Sequence, residues 1–515
     1  MTLQKVSPNN FSAKRSLPLS LGQGRLKERQ PVAVIDIGSN SVRQVIYEGQ
    51  TRSPAVLFNE KVLCGLGEGL AASGKLNELA VERALAALRR FVALQEQANV
   101  ADVHIIATAA ARDASNGPEF IKRGEEIAGT DIEVLTGAME AHYSALGIKS
   151  GFYKPSGIVG DMGGGSLELV EVNHEPGAGI TLPLGGLRLR DLAAGSPETG
   201  EKIARQTLRK VTIDWPGREK NFYAVGGTWR SLGKLHMANH RYPLPVVHDY
   251  QVDARELERF CSRLIDGDLD SFKGMSAVSK NRRELLPYGA AVLREIILHF
   301  KPVKITFSSV GVREGLLFSR LTEAEQKRDS LLESAQDLSI LRARAPEHSV
   351  ELAEWTENAF RKLDIEESEA EQRFRIAACY LADVGWRSHP DFRARQAIEV
   401  ISNAGFVGID HAGRGYLAAV SFHRYKGLGS KAQPPEICTL APEPLYKKAR
   451  ILSAFFRVLY LFSASLPGII PKLNLDVRDD GSLAFNLTGQ WSDLDGERPR
   501  ERIKQLGKEL NREIE

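Results

Sequence analysis

Cysteine is scarce in this chain. The 515 residues hold four, Cys64, Cys261, Cys379 and Cys438, far apart and without a CxxC pair. That spacing argues against a disulfide framework or a zinc knuckle and points to a reducing cytoplasm. No apolar run approaches the ~18 residues of a membrane span, so no membrane partner is expected. Charge of one sign is also lacking: a net +3 is too small to argue for a nucleic-acid partner, and none is expected. The first thirty residues lack the apolar core of a secretory signal. Lys5, Lys14, Arg15, Arg25, Lys27 and Arg29 there face a single acid, Glu28, which predicts a disordered, solvated basic tail over 1–30. Neither H-E-x-x-H nor G-x-S-x-G occurs, which argues against zincins and serine hydrolases. "GGTWRSLGKL" (226–235) fails as a P-loop, because five residues separate Gly227 from Gly233 and Leu235 replaces the Ser or Thr. "GLGEGL" (65–70) lacks the strand before and helix after of a dinucleotide fingerprint and reads as a flexible loop.

What is present is an α/β alternation that occurs twice. "PVAVIDIGSNSVRQVIYEG" (31–49) reads as two antiparallel strands about a tight turn, and 76–100 as a long amphipathic helix. The strand "VHIIATAAARDA", the helix "GPEFIKRGEEIAG", the strand "DIEVLTG" and the helix "AMEAHYSALGIKSG" follow. The pattern restarts with "IVGDMGGGSLELVEV" (158–172), and "ITLPLGGLRLRD" (180–191) is expected to continue its sheet. "FYAVGGTWRSLGKL" and "ITFSSVGVREGLLFSRL" each predict a strand, a glycine turn and a helix start. At a constant offset, Asp36 aligns with Asp161, Gly38 with Gly163, Ser41 with Ser166 and Arg43 with Glu168. This register predicts a duplication, with domains over 31–155 and 156–322 facing each other across a cleft. Residues 323–515 read as a mostly helical third domain with a late hairpin turning at Asp-Gly in "DVRDDGSLAFNLTG".

Glycine turns expose backbone N–H groups in concave nests that bind anions such as phosphate. Ser39, Asn40, Ser41 and Ser166 add donors, and Arg43 a planar fork. "GGT" (226–228) and "GVREG" (311–315) each open a helix, whose N-terminus also favours an anion. Acids among such turns need an offsetting charge. Asp161 and Glu168, on strands joined by the glycine turn, therefore read as ligands for Mg²⁺, against the plainer readings of a turn cap and a solvent-facing strand residue. Arg112 ends a buried strand, where an arginine needs an anion unless it lies at the surface. Glu140 begins a helix, and the residues alone leave its role open.

Seven ordered motifs across 31–320, "AVIDIGSNSVR", "ATAAARDASNGPEF", "TGAMEA", "VGDMGGGSLELV", "LPLGGLRL", "AVGGTWRSLGKL" and "SSVGVREGLL", resemble the exopolyphosphatase/guanosine pentaphosphate phosphohydrolase family. The resemblance implies duplicated acetate kinase–actin–hexokinase (ribonuclease H-like) domains plus a C-terminal, mostly α-helical HD-like domain. It implies Mg²⁺- or Mn²⁺-dependent, processive hydrolysis of terminal phosphate from inorganic polyphosphate, with room for a monovalent cation, in a cytoplasmic homodimer. The family's catalytic glutamate falls on Glu140 and its metal-associated acids on Asp161 and Glu168. Its phosphate contacts fall on Ser39, Asn40, Ser41, Arg43, Arg112, Gly164, Gly165, Ser166, Gly227 and Arg313. Guanosine pentaphosphate 5′-phosphohydrolysis is the alternative within the class. A kinase-like phosphotransferase and a protein that binds guanosine tetra- or pentaphosphate are alternatives outside it. His142 stands where the family often has arginine, so a phosphate contact there is lost or becomes pH-sensitive. Gly186 also departs from the pattern, without a clear consequence. In the helical region Ala382 occupies the position of a metal-binding histidine, so Asp383, His389, His411 and His423 are not expected to form a metal centre. "SFHRYKGLGSK" (421–431) suits the path of a polyanion or a plain solvated face.

Overall fold

β-branched residues on either side of a three-residue turn pair as Val32–Ile37 (β1) and Ser41–Tyr47 (β2). The computed structural model describes residues 24–512 except 27, 176–177, 217–218, 268, 430–432, 479–481 and 488. Val56–Leu63 (β3), Asp102–Ala107 (β4) and Glu133–Val134 (β5) complete a sheet of order β3-β2-β1-β4-β5. The second sheet comprises Ile158–Met162 (β6), Leu167–Glu171 (β7), Ile180–Leu182 (β8), Asn221–Val225 (β9), Tyr250–Asp253 (β10) and Lys304–Phe307 (β11). Its order is β10-β11-β9-β6-β7-β8. The order and pairing directions of the five strands β3-β2-β1-β4-β5 correspond to those of β8-β7-β6-β9-β11, and β10 adds an antiparallel edge. The duplication extends to register. Asp36 lies opposite Arg43, and Asp161 opposite Glu168. Each turn closes with the same bond, Gly38 N to Ser41 O and Gly163 N to Ser166 O, both 3.0 Å.

Each sheet is stabilised by an amphipathic helix. Ala84, Leu85, Leu88 and Phe91 of helix Glu78–Gln97 bury against Ile35, Ile37 and Val42. Helix Leu286–Phe300 buries Leu293 and Ile296 in the core of the second sheet with Trp229 and Phe307. Between the sheets, helices Gly137–Gly151 and Val312–Ser319 cross with almost no side chain between them. A Cβ on Gly147 would lie 2.3 Å from Gly311 O, and one on Gly315 would lie 1.7 Å from Tyr143 O. Tyr47 of the first sheet donates to Glu314 of the second helix at 2.9 Å.

Several expectations are corrected. "LRLRD" does not extend the sheet: Gly186–Leu192 is a helix. The alternation of Leu and Arg imitates a strand, but the carbonyls of Gly163 and Gly164 accept the N–H groups of Gly186, Leu187 and Arg188 and start a helix instead. The loop at 65–70 is pinned rather than loose, with Gly67 N donating to Ser39 O at 2.7 Å and Gly65 N to Asn40 O at 3.1 Å. Strand β5 is only two residues long. Of the basic residues described in 421–431, His423 and Arg424 are internal and Lys426 is exposed. His423 bonds Gly427 O and Tyr446 Oη, and the buried Arg424 pairs with Asp383 and lies over the Tyr460 ring.

Residues from 331 onward form a helical core in which Trp355, Phe360, Phe455 and Phe456 are buried. The late hairpin is present as Asn474–Val477 (β12) and Leu483–Asn486 (β13), antiparallel; its Asp-Gly turn lies outside the described residues. Most of the expected basic tail also lies outside them, while Arg29 pairs with Glu48 and Asp337. All four cysteines are free and buried.

The helix crossing yields a direct prediction. Gly315→Ala places a methyl group against rigid backbone and is expected to cost about 1–3 kcal/mol of stability, read from the denaturant midpoint. An unchanged midpoint would show that the crossing is loose.

Candidate active site

The two glycine turns face each other across a cleft. A Cβ on Gly164 would come within 3.0 Å of Ser39 Cβ, so the turns at 38–41 and 163–166 touch backbone to side chain. Gly185 braces the second turn from behind, where its own Cβ would lie 2.3 Å from Gly165 C and Ser166 N. Only glycine permits so close an approach. The N-termini of helices Gly227–Asn239 and Val312–Ser319 complete the lining, directing N–H groups and positive dipole ends inward.

Five carboxylates line the cleft: Asp36, Glu140, Asp161 and Glu168 form its floor, and Glu314 lies beside Arg313 among the cations. Glu140 sits in the first turn of its helix, after Thr136, whose hydroxyl accepts from Met139 N. It is 7% exposed, and Arg112 Nη1 donates to its Oε1 at 2.5 Å while also reaching Leu135 O. Burial pushes the Glu140 carboxyl up to about 7, against the pull of Arg112. Asp161 accepts from Ser144 Oγ at 2.5 Å, and burial raises it too. Burial, then repulsion from Glu140, pushes Glu168 well above the usual carboxylate range, although Ser166 hydrogen-bonds it. Glu168 Oε1 is buried without a hydrogen-bond partner. Asp36 is raised by burial, with Arg313 and Arg43 opposing.

Cations crowd the other wall: Arg43, Lys61, Arg230, Arg282 and Arg313. Burial and mutual repulsion pull Arg43 and Arg230 down to about 10, and Lys61 to about 8. Glu314 holds Arg313 up against burial, but it does not offset burial and mutual repulsion at Arg43 and Arg230. The Arg282 guanidinium rests on Gly227, with nitrogens 2.1 and 2.2 Å from where a Cβ would stand.

Ser39, Asn40, Ser41, Arg43, Glu140, Asp161, Gly164, Glu168, Gly227 and Arg313 thus line one cleft. Gly165 and Ser166 lie behind its rim, and Arg112 is engaged with Glu140. Sequence reasoning assigned no role to Asp36, although the repeat pairs it with Asp161. Arg230 could have been found three residues into the helix after Gly227. Lys61 and Arg282 gave no local signal. His142 bonds His174 at 3.0 Å. In the helical region Asp383 pairs with Arg344 and Arg424, His411 bonds Tyr242 and His248, and His389 is exposed beside Asp391, so these groups do not converge.

Two lobes of identical strand order, closing glycine turns and carboxylates around a cationic wall, define a cleft built for a charged, oxygen-rich anion. The Ppx/GppA phosphatase family matches residues 45–324, and the chain belongs to that family. Residues 331–515 match the family described as Exopolyphosphatase, C-terminal. The chain is 26% identical over 330 residues to Exopolyphosphatase 1 of Mycobacterium tuberculosis, covering 61% of this chain and 94% of that one. It is 27% identical over 311 residues to Exopolyphosphatase 2 of the same organism, covering 56% and 98%. The crystal structure of an exopolyphosphatase from Cytophaga hutchinsonii shares the fold, with TM-score 0.50 and 24% identity over 56% of this chain and 97% of that one. An Aquifex aeolicus member of the Ppx/GppA family matches at TM-score 0.48 and 26% identity, over 56% and 97%.

Because Gly185 supports the nest and reaches no ligand itself, Gly185→Ala tests the turn. Tripolyphosphate affinity measured by calorimetry is expected to fall at least tenfold. Unchanged affinity would remove the turn at 163–166 from the anion site.

Proposed function

We propose that this cleft hydrolyses the terminal phosphoanhydride of inorganic polyphosphate and releases orthophosphate processively. The observation that carries the reading is the pairing of five cations, the buried Arg313, the half-buried Arg43, Arg230 and Arg282 and the exposed Lys61, with a carboxylate floor across two glycine turns. A chain of phosphates supplies the missing anions, and an enzyme of phosphoryl transfer works mainly by positioning and charge neutralisation. The names of the relatives support the same substrate.

The residues fit a divalent cation. Glu168 Oε1 is buried without a partner beside Asp161 and Glu140, and an all-oxygen donor set suits Mg²⁺ or Mn²⁺. We assign Asp161 and Glu168 as its holders, with Asp36 beside them. When bound, such an ion neutralises charge on phosphate oxygens. A monovalent cation remains part of the proposal.

We assign Glu140 as the base. Its carboxylate takes a proton from a water that attacks the terminal phosphorus; the P–O bond to the next phosphate breaks, and the shortened chain carries the leaving oxygen. Arg112 orients Glu140 by donating to Oε1, which leaves Oε2 available for that water. The nest residues Ser39, Asn40, Ser41, Gly164, Gly165, Ser166 and Gly227 hold phosphate oxygens. Arg43 and Arg313, joined by Lys61, Arg230 and Arg282, neutralise the chain and its leaving end.

The same proposal takes the domains as 31–155, 156–322 and an HD-like 323–515 after a basic tail, in a cytoplasmic protein. It takes the assembly as a homodimer. The support is the edge strand β3, whose Val56, Leu57, Phe58 and Leu63 are exposed.

Glu140→Gln is expected to lower phosphate release by about 100- to 10,000-fold while polyphosphate affinity stays within threefold. Near-normal turnover would remove Glu140 as the base. Offered long-chain polyphosphate and guanosine pentaphosphate in parallel with Mg²⁺, the protein is expected to turn over polyphosphate faster. The opposite order would favour the nucleotide reading, and phosphate recovered on an acceptor would favour a kinase.

A further inference from the structure

Away from the cleft, the helix Gly227–Asn239 ends in a second cluster of chemistry-bearing side chains. His236 and His240 lie one turn apart, and Glu256 faces them from the first turn of helix Ala254–Asp266. Asp253 fixes that turn by accepting from Arg255 N and Glu256 N. Among the described residues, these three place one ligand atom each within 4.8 Å of one another. Glu256 Oε1 is 3.4 Å from His236 Nε2 and 3.6 Å from His240 Nε2. Around a tetrahedral Zn²⁺ with bonds of ~2.0–2.1 Å, neighbouring ligand atoms stand roughly 3.3–3.4 Å apart. Each imidazole therefore stands about one ligand–ligand spacing from the carboxylate oxygen, and the two rings are stacked with centroids 4.1 Å apart.

The far nitrogen of each ring is held by a hydrogen bond. His240 Nδ1 contacts His236 O at 2.8 Å, and a carbonyl only accepts, so in the neutral ring the proton is on Nδ1 and the lone pair on Nε2. His236 Nδ1 is held at 2.8 Å by Tyr250 Oη. Hydrogen bonds at the far nitrogen are the usual support for a metal-bound histidine. His236 Nε2 itself is buried, on a residue only 1% exposed, and has no hydrogen-bond partner. His240 and Glu256 are about half exposed, so the site is open to solvent on one side.

We propose that His236 Nε2, His240 Nε2 and a Glu256 carboxylate oxygen form a site for a Zn²⁺-class transition metal, with water completing the coordination. Two imidazoles select zinc over the hard ions suited to the carboxylate floor. The bound ion ties the C-terminal end of the helix that carries Gly227 and Arg230 to helix Ala254–Asp266. Occupancy then stabilises the helix whose other end lines the cleft.

The test uses the full-length protein, stripped with a chelator and then equilibrated with Zn²⁺ in saturating Mg²⁺, which occupies the carboxylate floor. The wild type is expected to retain one more zinc per chain than His240→Ala or Glu256→Gln, with at least tenfold tighter binding. His240 is exposed and Glu256 half-exposed, and circular dichroism checks that the variants fold. Co²⁺ in place of Zn²⁺ is expected to give the visible absorption of a tetrahedral nitrogen- and oxygen-ligated ion in the wild type, absent from His240→Ala. Equal zinc content and equal Co²⁺ spectra in wild type and His240→Ala would overturn the proposal.

Discussion

The close crossing of helices Gly137–Gly151 and Val312–Ser319 is the contact on which the active-site geometry depends. With Gly147 against Gly311 and Gly315 against the Tyr143 carbonyl, backbone meets backbone with no side chain to act as a spacer. One helix carries Glu140 in its first turn; the other carries Arg313 in its first turn. Their separation is therefore set by van der Waals contact of the main chain, the stiffest spacing that two helices can have. Because each helix packs on the sheet of the other lobe, Ala141, Ala145 and Ile148 against Val159 and Val170, and Leu316 and Leu317 against Val34 and Val45, the crossing fixes how far apart the two glycine turns stand. Tyr47, reaching from the first sheet to Glu314, adds a polar tie at the same place.

The cleft that this crossing holds is electrostatically unsatisfied in a patterned way. Its floor pushes carboxylates up, and its wall pulls Arg43, Arg230 and Lys61 down, mostly through burial and then through like-charge neighbours, while Glu314 keeps Arg313 raised. Neither half relieves the other fully. Anions against the wall and a cation against the floor would relieve both, and polyphosphate with a divalent ion brings the two together. Stability given up in the free protein is thereby converted into affinity and positioning, which is the usual economy of a site for phosphoryl transfer.

Much of this was legible in the residues. The repeated Asp-x-Gly register predicted two facing lobes, and the strand pairing carries it to the residue, Asp36 opposite Arg43 and Asp161 opposite Glu168. What escaped did so for identifiable reasons. Strand β3 has no buried face, so Lys61 carried no periodic signal although the register sets it beside Arg43. Arg282 reaches Gly227 from the short helix Lys280–Arg283, remote in sequence from any glycine turn. "LRLRD" alternates like a strand, and only tertiary carbonyl acceptors make it a helix. Glu140 looked like an ordinary first-turn acid, and its burial and its bond to Arg112 exist only once the lobes are assembled.

The central claim is that water, activated at Glu140, attacks the terminal phosphorus of a chain lying along the cationic wall. Single-turnover hydrolysis of polyphosphate in heavy-oxygen water, followed by mass spectrometry of the products, tests it directly. The account predicts one solvent oxygen in the released orthophosphate and none at the new end of the shortened chain. Solvent oxygen in the chain, or orthophosphate without it, would contradict attack at the terminal phosphorus and with it the role given to Glu140.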